Sequence, residues 1–143
     1  MKLREIMTQD VELVGPDDTL QSAARKMRDV DTGFLPVADG DRLVGAITDR
    51  DITIRAVAEG LDPANTRVRE AMSDAPIYCY EDQEEAEAAT LMAEMQIRRL
   101  PVVNRDNRLV GVVSLGDLAS KLDEPELVGK TLDEVSNPDT PQT

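Results

Sequence analysis

A hydroxyl residue followed three positions later by an aspartate occurs twice in the chain, each time after an apolar run. The two copies are Thr48 with Asp51 and Ser114 with Asp117. This pattern predicts a strand that leads into a helix start, where backbone N–H groups and a partial positive charge are exposed. Such a junction is suited to a phosphorylated sugar, because the hydroxyl can donate to a phosphate or ribose oxygen and the aspartate can accept from two ribose hydroxyls.

The same residues have a second, purely structural use. Serine, threonine and aspartate are preferred helix caps, so Thr48 or Asp49 and Ser114 could serve only to start the helices. One copy alone favours the capping interpretation. The occurrence of the pattern in both halves of the chain shifts the balance towards a binding role, and both uses stay open at this point.

The chain contains an internal duplication. Three pairs of segments match in the same order, the first two at a shift of 65 residues and the third at a shift of 66: 3–8 with 68–73, 35–37 with 100–102, and 42–45 with 108–111. We therefore divide the chain into a first repeat at 1–60, a connector at 61–67, a second repeat at 68–124 and a C-terminal extension at 125–143.

The first repeat predicts the order strand, helix, strand, strand, helix. Thr19 is the expected N-cap of the first helix, whose apolar stripe comprises Leu20, Ala23, Ala24, Met27 and Val30. Strands are predicted at 11–14, 35–38 and 43–47, with a hairpin turn at 39–41 and a second helix at 50–58.

The second repeat predicts the same order of elements. Strands are expected at 77–80, 100–103 and 109–113, and helices at 84–95 and 117–122. Glu85 stands where the first repeat has Leu20, which predicts a solvated acidic helix start. A further helical turn at 127–135 and a frayed tail at 137–143 are expected. Each repeat is too short to bury a secure core, so we expect the two sheets to pack together.

Composition excludes several classes of function. The chain has 16 basic and 29 acidic residues, a net charge of −13, and three aromatic residues, so nucleic acid and anionic membranes are not expected partners. The single cysteine, Cys79, is expected inside a strand, and without histidine the usual zinc ligands are missing. No leader and no membrane-spanning run are recognised, which predicts a cytoplasmic protein.

Two pairs of longer segments carry a family resemblance. Residues 33–37 with 43–51, and residues 98–102 with 109–117, resemble a tandem pair of cystathionine-beta-synthase-type (CBS) domains, a Bateman module, over residues 3–122. The sequence Thr-Asp-Arg-Asp at 48–51 and the sequence Gly-Leu-Asp-Pro at 60–63, where the connector begins, are similar to segments of small hypoxic-response-type CBS proteins. That type has been linked with metal, but because histidine is missing here we expect no metal site.

The resemblance implies an adenosine-nucleotide sensor. Asp51 and Asp117 would accept from ribose hydroxyls, with Thr48 and Ser114 beside the ribose or phosphate. Arg50 and either Arg98 or Arg99 would pair with phosphate, although solvated surface positions are equally open to each arginine. The adenine would be bordered by backbone groups of Gly33, Phe34, Arg98 and Arg99, which precede the two Leu-Pro-Val motifs. The ligand-binding set further includes Leu35, Pro36, Leu100 and Pro101, and the remaining wall would be formed by Asp10, Val11, Ala75 and Pro76.

The implied architecture is an α/β module of two pseudo-symmetric repeats, with small three-stranded sheets, outer helices and two clefts between the repeats. Such modules commonly form homodimers. AMP, ADP, ATP or NAD would be the regulatory ligand, no further cofactor would be required, and the output would pass to an effector protein on another chain. A dimeric scaffold with empty clefts is the alternative. An enzyme using Asp49, Asp51 and Asp117 is disfavoured because we find no nucleophile with an adjacent base.

Overall fold

The computed structural model describes residues 1–121, which form two compact units. The first unit is Glu12–Pro76, and the second unit combines Met1–Val11 with the chain from Ile77 onward. The helical turn expected at 127–135 and the tail at 137–143 lie outside the described residues. Across residues 1–121, none of the helices has both the length and the apolar character that a membrane crossing demands.

The first helix, α1 (Leu20–Val30), follows the predicted pattern at its start. The Thr19 hydroxyl accepts from the backbone N–H of Ser22 at 3.1 Å, which confirms the N-cap. Leu20, Ala23 and Met27 are buried. Ala24 and Val30 are exposed, so the stripe is narrower than predicted. The helix ends at Asp31, which adopts a left-handed conformation with φ 55°.

The sheet of the first unit is an antiparallel hairpin of β1 (Phe34–Asp39) and β2 (Arg42–Thr48). Gly40 takes φ +65° in the turn, a conformation that suits glycine. The strand predicted at 11–14 is wrong, since Val14 forms only an isolated parallel bridge to Val37. The sheet therefore has two strands instead of three. Gly15 and Pro16 follow Val14 at once and break the extended run.

A short helix, α2 (Asp49–Ile52), follows β2 directly and continues as a π-helical turn, Thr53–Val57. The helix predicted at 50–58 is therefore present, but its second half is wider than an α-helix. A 3-10 turn at Val68–Glu70 lies near the end of the unit.

The second unit repeats this plan with a complete three-stranded sheet. Strand β3 (Cys79–Tyr80) pairs in parallel with β4 (Arg99–Val103), which pairs antiparallel with β5 (Leu109–Ser114). Helix α3 (Glu85–Met95) follows β3, and α4 (Leu115–Lys121) follows β5. Glu85 is not solvated as predicted: its side chain is 21% exposed and its carboxylate lies 2.6 Å from the amino group of Met1.

The start of each sequence repeat packs into the unit that holds the other repeat's hairpin. Thr8 and Val112 exchange two backbone hydrogen bonds of 2.9 and 3.0 Å in the second unit. Ser73 and Ala46 exchange an equivalent pair of 2.9 and 3.0 Å in the first unit. The sequence repeats and the compact units are thus different divisions of the chain. We call the segments 1–11 and 66–76 the exchanged segments.

The exchanged segments complete both hydrophobic cores. Leu3 and Ile6 are buried in the second unit among Leu100, Val113 and Leu118. Val68 and Ala71 are buried in the first unit, where they join a cluster of Val14, Leu20, Ala23, Met27, Leu35, Val37, Ile47 and Ala56. Each sheet therefore gains part of its apolar cover from the exchanged segment.

Close backbone approach at the exchange requires glycine. A Cβ built on Gly45 would lie 2.6 Å from the Ser73 carbonyl oxygen, and one built on Gly111 would lie 2.6 Å from Met7 Sδ and 2.9 Å from the Thr8 carbonyl oxygen. No side chain fits at either position without moving the exchanged segment.

We predict that Gly45→Ala and Gly111→Ala each lower the free energy of unfolding by about 1–3 kcal/mol, because the added methyl group overpacks the contact. Urea titration checks this. Gly116→Ala is the matched control, since the nearest atom to its new Cβ, Ser114 Oγ, is an ordinary 3.6 Å away. Unchanged stability of Gly111→Ala would contradict the close approach.

Candidate functional site

The hydroxyl and carboxylate of each candidate pair bind each other's backbone. The N–H of Thr48 donates to Asp51 Oδ2 at 2.9 Å, and the N–H of Asp51 donates to Thr48 Oγ1 at 3.1 Å. Ser114 and Asp117 form the same two bonds at 2.9 and 3.0 Å. Both pairs are therefore reciprocal caps of the following helix, so the capping role that the sequence left open is real.

Capping leaves part of each carboxylate unused. Only Oδ2 accepts from the backbone, and the other oxygen of Asp51 lies 4.0 Å from Arg55 Nε. The Asp51 side chain is 20% exposed, and Asp117 is also half-buried. An ionised carboxylate offers about four acceptor positions, so a capped aspartate can still accept from ligand hydroxyls.

The strand register brings the residues before each Leu-Pro-Val motif next to these pairs. Phe34 lies opposite Thr48 across the first hairpin, and Arg99 lies opposite Ser114 across the second. The carbonyl oxygens of Gly33 and Arg98 accept from the first residue of α2 and of α4, at 3.0 and 2.8 Å. The sequence motifs are distant along the chain but adjacent in each unit.

The other predicted site residues differ in exposure and position. Leu35, Pro36, Leu100 and Pro101 are buried, and both leucines belong to the hydrophobic cores. The predicted wall residues follow the exchanged backbone pairs closely: Ala75 and Pro76 lie in the first unit, and Asp10 and Val11 in the second. Each unit therefore contains one complete set of predicted residues, drawn from both sequence repeats.

Exposed arginines stand beside both pairs. Arg50 is exposed in α2, and Arg98 and Arg99 are exposed at the start of β4. The sequence analysis missed Arg55. Its Nη1 donates to the carbonyl oxygens of Ala71 and Met72 at 3.3 and 3.2 Å, which ties it to the exchanged segment. Its position four residues after Asp51 on a predicted helix was the available signal.

A separate open groove of about 440 Å³ lies between β3 and α3 and contains none of the predicted site residues. It is lined by Tyr78, Cys79, Gln83, Ala86, Glu87, Thr90, Leu91 and Glu94. Burial, assisted by the negative charge of Glu87, raises the pKa of Cys79 to about 11, so the thiol stays protonated near neutral pH. This agrees with the prediction of an apolar residue inside a strand.

Another ion pair of the second unit lies beside β3. Arg105 donates to both carboxylate oxygens of Asp82 at 2.8 and 3.0 Å and lies 4.0 Å from the centre of the Tyr80 ring. The guanidinium holds the pKa of Asp82 below its usual range. These residues are not among the predicted site residues.

Comparison with known proteins agrees with this arrangement. The family model of the CBS domain matches the chain twice, at residues 3–57 and 68–124, so the chain belongs to the CBS-domain family as a tandem pair. Hypoxic response protein 1 of Mycobacterium tuberculosis is 42% identical over 126 residues, which cover 87% of this chain and 87% of that protein.

Solved structures of related proteins show the same fold. A crystal structure of Hypoxic Response Protein I with two coordinated zinc ions matches with a TM-score of 0.79 and 41% identity, over 85% of this chain and 99% of that one. A crystal structure of CBSX2 in complex with AMP matches with a TM-score of 0.73 and 25% identity, over 83% and 93% of the two chains.

Two zinc ions are coordinated in the first of these structures. The sequence has no histidine. Within the part of the chain that the structure describes, no three cysteine, aspartate or glutamate side chains are grouped so that they could hold a metal ion. The predicted site residues of both units offer hydroxyl, carboxylate, guanidinium and backbone groups.

The caps predict a stability difference that is independent of ligand. In nucleotide-free protein, Asp51→Ala and Asp117→Ala should each lower the free energy of unfolding by about 1 kcal/mol, because the N–H of Thr48 or Ser114 loses its acceptor. Asp51→Asn and Asp117→Asn should lose less, since the amide oxygen can still accept. Urea unfolding measures both, and equal stability of the alanine variants and the wild type would show that the caps contribute nothing.

Proposed function

We propose that the protein is a regulatory module that binds an adenosine nucleotide, namely AMP, ADP, ATP or NAD, and changes conformation on binding. The observation that carries the proposal is the capped, half-buried carboxylate at the same position in both units. Asp51 and Asp117 are each fixed by one oxygen, which leaves the other oriented before any ligand arrives.

This fixed geometry favours ribose recognition. A carboxylate that is already ordered loses little side-chain freedom when it accepts from two neighbouring hydroxyls. Thr48 and Ser114 lie beside it and can contact the ribose or the phosphate. Backbone groups of Gly33 and Phe34 in one unit, and of Arg98 and Arg99 in the other, would border the adenine.

Phosphate would be bound by the exposed arginines. A guanidinium matches phosphate oxygens in a bidentate geometry. In the first unit Arg50 precedes Asp51 in α2, and in the second unit Arg99 lies opposite Ser114 across the hairpin, with Arg98 directly before it. The complex of the related CBSX2 with AMP supports an adenosine nucleotide as the ligand class.

Ligand binding would be transmitted through a change in the arrangement of a homodimer. We propose a homodimer, because Ile54, Val57 and Leu61 near the end of the first repeat are 51%, 60% and 42% exposed, an apolar surface that a second copy could cover. A ligand that binds one arrangement of the dimer more tightly would shift its population and so its affinity for an effector protein.

Isothermal titration of AMP, ATP and NAD into nucleotide-stripped protein tests the proposal. We expect binding that is weakened at least tenfold by Asp51→Asn or by Asp117→Asn, since each variant keeps a cap acceptor but loses the charge that accepts from the ribose. Thr19→Ala is the control, because it removes a helix cap away from the site. At a hundredfold excess over the dissociation constant, the ligand should add about 2.7 kcal/mol of stability.

The scaffold alternative predicts a different outcome. The completeness of the caps favours it, because Thr48, Asp51, Ser114 and Asp117 already have backbone partners without a ligand. If no adenosine nucleotide gives heat or a thermal shift, the sensor proposal fails and the scaffold stands. If nucleotides bind but both asparagine variants bind like the wild type, the assignment of the ribose contacts to Asp51 and Asp117 fails.

A further inference from the structure

We propose that the groove between β3 and α3 of the second unit is the docking surface for a basic segment of a partner protein, in which two lysine side chains stand three residues apart. The chemistry that the groove recognises is an ammonium group on an aliphatic stem. The groove contains none of the predicted nucleotide residues, so this inference goes beyond the proposed function and is tested without a nucleotide.

The first unit has a place that is equivalent to this groove. Helix α1 spans Leu20–Val30 and α3 spans Glu85–Met95, so the two helices are related by the same shift of 65 residues as the sequence repeats. The extended segments beside them correspond as well, because position 14 bridges position 37 in parallel and position 79 pairs with position 102 in parallel. The side chains at the two places can therefore be compared one for one.

In the first unit a lysine amine lies at this place. Lys26 Nζ donates to the Leu13 carbonyl oxygen at 2.8 Å and lies 3.9 Å from a carboxylate oxygen of Glu12. The second unit has Leu91 and Tyr78 at the positions of the lysine and of Leu13. Leucine has no donor, so this bond cannot form in the second unit, where an open groove of about 440 Å³ is found instead.

The charge of the helix is reversed between the two units. Helix α1 carries Arg25, Lys26 and Arg28 with one acidic residue, whereas α3 carries three glutamates and no basic residue. Two of these glutamates, Glu87 and Glu94, line the groove. The first unit supplies its own amine at this place, and the second unit has the charge to attract one from another molecule.

Glu87 is held in position without losing its charge. Its Oε2 accepts from the side-chain amide of Gln83 at 2.7 Å. The negative charge of Glu87 also acts on Arg105, but that guanidinium is held by its bidentate ion pair with Asp82. The Glu87 carboxylate would therefore lose little side-chain freedom when it accepts from an ammonium group.

The length of the groove favours a peptide segment over a single free amine. Leu91 and Ala86 can cover the aliphatic stem of a lysine, and the exposed Tyr78 ring offers a face to its ammonium group. Glu87 and Glu94 are separated by about 10 Å along α3, at a rise of about 1.5 Å per residue. Three residues of an extended chain also span about 10 Å, so lysines three positions apart could reach both carboxylates.

Fluorescence anisotropy of a labelled, end-capped Lys-Ala-Leu-Lys peptide with the full chain tests the inference. We expect saturable binding that is weakened at least tenfold in the double variant Glu87→Gln with Glu94→Gln, because both charge-assisted hydrogen bonds are lost. Leu91→Lys should weaken it at least tenfold as well, since the new amine would occupy the place that Lys26 occupies in the first unit. The same peptide with acetylated lysine side chains should bind at least tenfold more weakly than the unmodified one.

The matched control is the double variant Asp39→Asn with Asp106→Asn, which removes two exposed acidic residues at the hairpins and should bind like the wild type. Equal weakening in this control and in the glutamine variant would show a non-specific attraction to an acidic chain and would overturn the inference. Unchanged affinity in both groove variants, or competition by free spermidine as strong as by unlabelled peptide, would also overturn it. If the peptide does not bind and Leu91→Lys changes the oligomeric state, the groove is covered by a second copy of the chain, and the inference is wrong.

Discussion

The structure depends on two pairs of backbone hydrogen bonds. Each pair fixes one exchanged segment against the hairpin of the other sequence repeat. Thr8 and Val112 form one pair, and Ser73 and Ala46 form the other. The close approach is possible because Gly45 and Gly111 lack side chains. The same contact places Leu3 and Val68 in the cores and carries the predicted wall residues into each unit, so core and candidate site are assembled together.

The capped carboxylates are the groups through which this fold could bind a ligand in each candidate site. In each unit a strand ends at a hydroxyl residue, and the aspartate three positions later closes a reciprocal cap that begins the next helix. Folding therefore orders the carboxylate of each aspartate, and the second oxygen of that carboxylate takes no part in the cap. A stable helix start and a preorganised acceptor are two results of one local arrangement, which is why the capping and binding interpretations are compatible.

The sequence predicted the duplication, both hairpins, the Thr19 cap and the family, because these depend on local spacing that repeats. It did not predict the exchange, since matching motifs at a shift of 65 residues do not indicate which hairpin a segment joins. The strand at 11–14 failed because Gly15 and Pro16 end the extended run directly after Val14, which leaves a single bridge to Val37. Arg55 was missed because its role depends on the carbonyl groups of the exchanged segment.

Amide chemical shifts measured during titration of isotope-labelled protein with AMP test the central claim, that the capped carboxylates and the exchanged segments form a nucleotide site. The binding model predicts the largest changes at the amides of Thr48 and Asp51, or of Ser114 and Asp117, with further changes at Val11 or Ala75 in the same unit. Saturable binding with chemical-shift changes confined to other residues, such as Tyr78 and Leu91 in the groove between β3 and α3, would contradict it.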